Sequence, residues 1–259
     1  TLSQFTNGLV AYYPFNGNAN DESGNSNNAS VNGPALTTDR YKNPNRTYSF
    51  DGTDDYLTVA HHASLNIPDG LTLAAWVRPD NTPSNALLIQ KGNGASNNQV
   101  FHLANNQGKL HYFWRSSQNG NHATTKTPNV VFPPNVWTHV IVVHVSGSQP
   151  ILYVNGVEQA VTTSNNQSIA RGLNNDWLSI GVDKRSSGGY DKHHDGKLDD
   201  IRIYNRALGA AEVAQLNALE KPPVINTQPQ SQTVATGSNV TLTTDANGTG
   251  LTYQWQKLL

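Results

Sequence analysis

The chain predicts an all-β protein, a two-sheet antiparallel sandwich, and three observations carry that expectation. Short β-rich runs recur between residues 8 and 204, separated by clusters of Asn, Gly, Pro and Asp at the spacing of a sandwich or barrel. Glu occurs only at Glu22, Glu158, Glu212 and Glu220 while Asn, Thr, Ser and Gly abound, a balance that suits strands and turns rather than long helices. Several runs alternate with period 2: Leu73, Ala75 and Val77 fall on one side of a strand, and Ala74, Trp76 and Arg78 on the other.

The runs, in order, are Leu9–Phe15, Tyr48–Phe50, Tyr56–Val59, Leu71–Arg78, Leu87–Gln90, Val100–Leu103, Lys109–Arg115, Trp137–Val145, Ile151–Val154, Trp177–Val182 and Leu198–Tyr204. Asn155-Gly156 lies between Ile151–Val154 and Val157–Val161, and its tolerance of positive φ predicts a tight type I′ hairpin. Only Leu208–Glu220 has helical character, through Ala210, Ala211, Val213, Ala214 and Leu216. Lys221-Pro222-Pro223 then imposes extended backbone and removes two amide donors, which places a domain boundary after residue 220.

Composition excludes several functions. Charged residues make up 14% of the 259, with a net charge of −1, so no electrostatic footprint exists for nucleic acid or an acidic membrane. The absence of Cys removes disulfides, thiol catalysis and Cys-ligated metals. No apolar run approaches the roughly 18 residues of a membrane span. The start at Thr1 and the absence of Met lead us to expect a processed or excised fragment without a signal peptide.

Motifs in a fixed order add a resemblance. They are Gly8-Leu-Val-Ala-Tyr-Tyr-Pro-Phe15, Asp21-Glu-Ser-Gly-Asn25, Tyr48-Ser-Phe-Asp-Gly-Thr-Asp-Asp-Tyr-Leu57, Leu71-Thr-Leu-Ala-Ala-Trp-Val-Arg-Pro79, Trp137-Thr-His139, Leu152-Tyr-Val-Asn-Gly156 and Gly196-Lys-Leu-Asp-Asp-Ile-Arg-Ile-Tyr-Asn-Arg-Ala-Leu208. Together they make residues 1–220 resemble the concanavalin A-like, laminin-G-like jelly-roll modules of secreted bacterial proteins. The resemblance implies two antiparallel sheets with the first and last strands adjacent, and a glycan surface on a concave face or its rim. Residues 221–259, with Gly237-Ser238-Asn239 and Tyr253-Gln254-Trp255, resemble the opening strands of a bacterial immunoglobulin-like domain. Its later strands are missing, so Trp255 is expected to lack a normal core.

Candidate chemistry follows. Ca²⁺ takes six to eight oxygen ligands, and the resemblance implies a structural calcium where the last strand meets the Asn16–Asn25 loop and the Asp51-Gly52 turn. Asn16, Asp21, Asp51 and Asp199 are its expected ligands; the alternative is that Asp51, Asp54 and Asp55 cap a turn and Asp199 pairs with Arg202. Tyr190-Asp-Lys-His-His-Asp195 offers imidazole and carboxylate groups within a short stretch, against the plainer reading that His194 packs into the sandwich. For glycan binding, strand alternation turns His111, Phe113 and Arg115 outward if Leu110, Tyr112 and Trp114 face the core. Trp76, Arg78 and His102 share that outward parity. Aromatic faces that stack on sugar C–H surfaces, with Arg and His donors for hydroxyls, would suit a polysaccharide.

Catalysis finds less support. A retaining glycosidase needs two carboxylates about 5 Å apart, and the Glu-x-Asp-x-x-Glu strand motif is absent. A polysaccharide lyase would need a Tyr or His base and an Arg or Lys for the uronate charge, and Tyr190, His111, Arg78 and Arg115 could be arranged so, but the fold's familiar alginate-lyase strand signatures are not found. The expected function is therefore a non-catalytic carbohydrate-binding module of a secreted or cell-surface multidomain protein, bound to glycan and joined to other domains of its parent chain. Adhesion or spacing is the alternative, and a lyase the remoter one.

Overall fold

The computed structural model describes residues 5–83, 85–93, 98–116, 121–164, 169–185, 189–219, 224–247 and 254–255. Two antiparallel eight-stranded sheets pack face to face as a jelly-roll sandwich. The strands are β1 (Leu9–Tyr13), β2 (Ala29–Asn32), β3 (Ala35–Thr37), β4 (Thr47–Asp51), β5 (Tyr56–Val59), β6 (Gly70–Pro79), β7 (Ala86–Lys91), β8 (Phe101–Asn106), β9 (Lys109–Arg115), β10 (His122–Lys126), β11 (Thr138–Val145), β12 (Ile151–Val154), β13 (Val157–Glu158), β14 (Thr162–Ser164), β15 (Leu178–Ile180), β16 (Asp183–Lys184), β17 (Tyr190–Asp191) and β18 (Asp195–Tyr204). The helix α1 (Ala210–Leu219) follows, and the short pair β19 (Val224–Thr227) and β20 (Asp245–Asn247) lies in the C-terminal segment.

The first sheet runs β13-β12-β11-β6-β18-β4-β3, with β1 also paired to β18; the second runs β14-β10-β9-β8-β7-β15-β5-β2. The first and last strands of the sandwich are thus adjacent, as the resemblance implies. Period-2 alternation sends Leu71, Leu73, Ala75 and Val77 of β6 into the core, where they meet Leu103, Tyr112 and Trp114 of β8 and β9. The opposite parity of the first sheet is apolar too. Ala74, Ile141, Val143 and Tyr204 point away from the sandwich and are buried by Leu208, Val213 and Leu216 of the helical segment.

That helix is held at both ends of its contact. Glu212 in its first turn accepts from the Gly209 amide at 2.9 Å and pairs with Arg206, satisfying an otherwise orphaned N-terminal donor. Asn217 donates to the Asn155 carbonyl at 3.0 Å and meets His139 Nδ1 at 3.1 Å, so the helix clamps the β12–β13 hairpin. Asn155 and Gly156 both have positive φ, the type I′ geometry expected from sequence, and a Cβ on Gly156 would lie 2.7 Å from Asn217.

Each strand run expected from sequence contains a strand. Strands β2, β3, β10, β14, β16 and β17, which lack a run of apolar alternation, lie outside the expected runs. The domain boundary at 221–223 lies outside the described residues. Beyond it the β19–β20 pair carries an exposed Ile225, and Trp255 is 59% exposed, as are Val234, Val240 and Leu242 in comparable measure.

Candidate functional site

The predicted ligand-binding residues separate onto opposite sides of the sandwich. His102, His111, Phe113 and Arg115 stand on the outward face of the second sheet, because Phe101, Leu103, Leu110, Tyr112 and Trp114 occupy the core positions between them. Trp76 and Arg78 stand on the outward face of the first. The sequence parity was right for each strand, but parity alone cannot tell which sheet a strand joins, so the six do not form one surface.

On the second sheet the pairing sets His102 opposite Phe113, and Phe113 opposite Thr124 on β10. The rings of His102 and Phe113 stack at 4.8 Å with 6° between planes, and Phe113 stacks in turn on His122 at 5.4 Å. His111, diagonal to His102, brings its ring to 5.4 Å from it, and the Arg115 guanidinium lies 5.4 Å from the Phe113 centroid. The result is an aromatic and imidazole ladder crossing three strands, with Lys126 opposite His111 and His122 opposite Arg115.

Part of this face is covered. Gln90 donates to Asp183 at 2.8 Å and accepts from the Lys184 amide at 2.9 Å, while Leu87 N donates to the Lys192 carbonyl at 3.0 Å. The β16–β17 hairpin therefore sits over β7 and β15, leaving β8, β9, β10 and β14 beside it. His102 is 7% exposed, and neither of its ring nitrogens has a hydrogen-bond partner among the described residues; the same holds for His111 Nδ1. Burial, joined by the positive charges of Lys126 and Lys192, pushes the His111 imidazole down to about 4, and burial with the His111 and Lys192 charges pushes His102 well below the usual histidine range.

Trp76 has a different setting. It stacks on His139 at 4.9 Å and lies under the Arg40 guanidinium at 4.7 Å, so only 5% of it is exposed. Arg78 at the end of β6 binds Asp80 and Asn135. Neither presents a free sugar-stacking face.

The expected metal ligands are likewise dispersed. Asp199 is held by Arg40 at 2.6 Å, and the same guanidinium binds Asp200 at 2.6 Å. The two aspartates lie where β18 exchanges β4 for β1 as its neighbour, at a bulge that gives Asp200 a φ of 45°. Burial and the Asp200 charge raise the Asp199 carboxyl, and Arg40 opposes them. A guanidinium thus fills the cation position proposed for calcium at Asp199, and the partner is Arg40 rather than Arg202. Arg202 instead lies 3.9 Å from the Tyr12 ring.

Asp21 accepts from the amides of Tyr12, Ser23 and Asn27, which makes it the organiser of the Asn20–Asn28 loop. Asn16 accepts from Arg46. Asp51 pairs in register with Asp195, roughly 13 Å along β18 from Asp199 at about 3.3 Å per residue. Asn16 and Asp199 do share a cleft of about 350 Å³ with Arg40, Tyr41, Arg46 and Asp200, but Asp21 and Asp51 are elsewhere.

Asp51 has other company. With Asp54 and Asp55 it forms a group whose carboxylate oxygens come within 4.8 Å of one another. Gly52, with a φ of 75°, makes that turn possible beside Asp195, where a Cβ would sit 2.8 Å from the aspartate. Amides of Thr53 and Asp54 donate to Asp51 and lower its carboxyl, whereas burial raises that of Asp55, and the Asp51 and Asp54 charges add to the rise. Three clustered carboxylates, one of them buried, are a donor set that a hard divalent cation would match.

The Tyr190–Asp195 stretch does not converge on a metal. His194 is fully buried with its ring edge-on to Phe50 at 5.9 Å, Tyr190 stacks on Tyr56 at 4.2 Å, and Asp191 and Lys192 pair with Arg185 and Asp183. Sequence reading missed Arg40, which sits in a loop without periodic signal, and His122 and Lys126, whose strand has only Ala123 and Thr125 on its inner side.

Among solved structures, the binding domain of Paraclostridial Mosquitocidal Protein 1 is similar at 20% identity and a TM-score of 0.68, over 83% of this chain and 53% of that one. Domain 4 of AbnA, an extracellular arabinanase from Geobacillus stearothermophilus solved with arabinotriose, is similar at 18% identity and 0.60, over 81% of this chain and 98% of that one. The ligand-binding domain of botulinum neurotoxin serotype D, solved with N-acetylneuraminic acid, is similar at 15% identity and 0.62, over 83% and 52%. The chain spans about half the length of the two toxin domains. No curated protein matches it in sequence. A family model described as the concanavalin A-like lectin/glucanases superfamily matches residues 51–214, and with the adjacent first and last strands and the two antiparallel sheets in view, the chain belongs to that family.

Proposed function

We propose that this chain is a non-catalytic carbohydrate-binding module, and that it takes glycan on the outward face of the second sheet. The observation that carries the reading is the ladder His102–Phe113–His122 with Arg115 and His111 beside it. His122, the exposed end of the ladder, braced by the buried Phe113 and His102, offers a sugar C–H surface a ring contact, and flanking imidazole and guanidinium donors fix hydroxyls. Solved relatives of the same fold carry arabinotriose and N-acetylneuraminic acid, which supports a sugar ligand without locating it here. Binding of the chain to a panel of immobilised polysaccharides, with product release monitored, tests this. Retention without product supports the module; release of an unsaturated product would revive a lyase, and silence across the panel would favour adhesion or spacing.

The reading includes a structural calcium ion, reassigned to Asp51, Asp54 and Asp55. Their clustered oxygens support it, and an ion there would offset both the burial that raises Asp55 and the smaller repulsion from Asp51 and Asp54. A secreted or cell-surface setting, in a parent chain with further domains such as an immunoglobulin-like one after residue 220, completes it. No helix among the described residues is long and apolar enough to cross a membrane.

A further inference from the structure

The outward face of the second sheet has a charge character that its ligand must answer. The chain as a whole is nearly neutral at −1, yet this face gathers Arg115, Lys126 and Lys192 around His102, His111 and His122. The hairpin beside it carries Asp183, held by Lys192 at 2.7 Å and by Gln90, and Asp191, paired with Arg185. The hydrogen-bond inventory leans the same way. Both His102 nitrogens and His111 Nδ1 are buried, so the donors this face presents lie on the exposed His122 and on the charged groups. Lysine ammonium groups and a guanidinium are donors only.

A surface with stacked rings and an excess of donors and positive charge is complementary to a sugar that brings negative charge and acceptors. Burial is the main cause of the lowered His111 and His102, and the positive charges of Lys126 and Lys192 on His111, and of Lys192 on His102, act in the same direction. That field also opposes a divalent metal on the histidine pair, although the two rings are close enough to invite one.

Resting on the carbohydrate-binding reading, we infer that the ligand is an acidic glycan, whose carboxylate or sulfate group sits against Arg115, His111 and Lys126 while a sugar ring packs on the exposed His122, which Phe113 braces from below. His102 lies beneath as a positioning residue, stacked on Phe113 and holding that ring in place. Charge-assisted bonds to an anionic group are roughly twice as strong as neutral ones, so the charged group sets specificity and the ring contact adds area.

Matched polymers test this with the full chain: polygalacturonate against its fully methyl-esterified form, and heparin against its desulfated form, each at low and high salt. The expected result is binding about tenfold tighter to at least one acidic member than to its neutral counterpart, weakening as salt rises. Arg115→Gln and Lys126→Gln should each reduce that affinity about tenfold, while Lys42→Gln, near the cleft of the first sheet, should leave it unchanged. Unaltered melting of the variants would assign the losses to the surface rather than to folding. Equal affinity for the acidic and neutral members of both pairs would overturn the acidic ligand and leave the carbohydrate reading standing. Failure to retain the chain on these four polymers and on the neutral panel would overturn both.

Discussion

The two sheets of this sandwich show their outward faces very differently. On the first, Ala74, Ile141, Val143 and Tyr204 are apolar and lie under helix α1, and Trp76 is closed between His139 and Arg40. On the second, the equivalent positions are His102, His111, Phe113 and Arg115, with no helix among the described residues laid across them. One outer face is a second core, and the other is the surface proposed to bind glycan. An outward-pointing aromatic is therefore no evidence of a binding site until what lies over it is known.

The largest way to break the contrast is to open the covered face. Leu216→Ala removes a fully buried side chain from beneath α1 and should cost about 3 kcal/mol, read from the midpoint of denaturant unfolding. Arg40→Met leaves the buried Asp199 carboxylate without its partner and should cost on the order of 3 to 5 kcal/mol if charge is the issue. In the double variant with Asp199→Asn much of that loss should return. Equal losses in the single and double variants would mean that Arg40 acts by packing on Trp76.

Acid provides a second test. Burial lowers His139 to about 3 and His194 to about 4, so the folded state holds these imidazoles neutral. Below the ordinary histidine range the unfolded chain binds more protons, so stability is full above about pH 6.5 and falls as pH drops toward those lowered values. His194→Phe, which keeps a ring against Phe50, should flatten the decline by on the order of 2 kcal/mol at pH 4.5. A decline identical to wild type would remove His194 from the acid response.

Calcium should act more gently. Chelator is expected to lower the melting temperature of wild type by a few degrees, consistent with about 1 to 3 kcal/mol of ion linkage, and Asp51→Asn should abolish the response. If wild type melts alike with and without chelator, the ion reading fails. The smallest stability effect belongs to the open face: Lys126→Gln should shift unfolding by less than about 0.5 kcal/mol, even though it is expected to alter affinity. A large destabilisation would show that this face is structural after all.

Much of the architecture could be read from the residues. Alternation in β6, β9 and β11 is apolar enough to announce strands, Asn155-Gly156 announces its turn, and Ala-rich 210–219 announces the helix. Strands such as Thr162–Ser164 are exposed throughout and have no apolar face to advertise them. The site was legible in halves. Parity within Lys109–Arg115 gave the outward set on β9, but sheet membership is a long-range property, which is why Trp76 was grouped with residues on the far side of the sandwich. The calcium set failed for a related reason. First and last strands do meet, yet a bulge at Asp199–Arg202 and an arginine from an unpatterned loop decide what the carboxylates face.

The pairing of β1 with β18 also sets the direction of travel of the chain. Both strands lie in the first sheet, and β18 runs on into α1 on that sheet's outer side. Phe5, just before β1, and Val213 and Leu216 of α1 pack together on that side, opposite the imidazole ladder. Attachment at either end on that side would leave the proposed glycan face clear, and several copies on one backbone could grip a long polymer at once. Multivalent attachment of that kind would turn weak single contacts into durable adhesion.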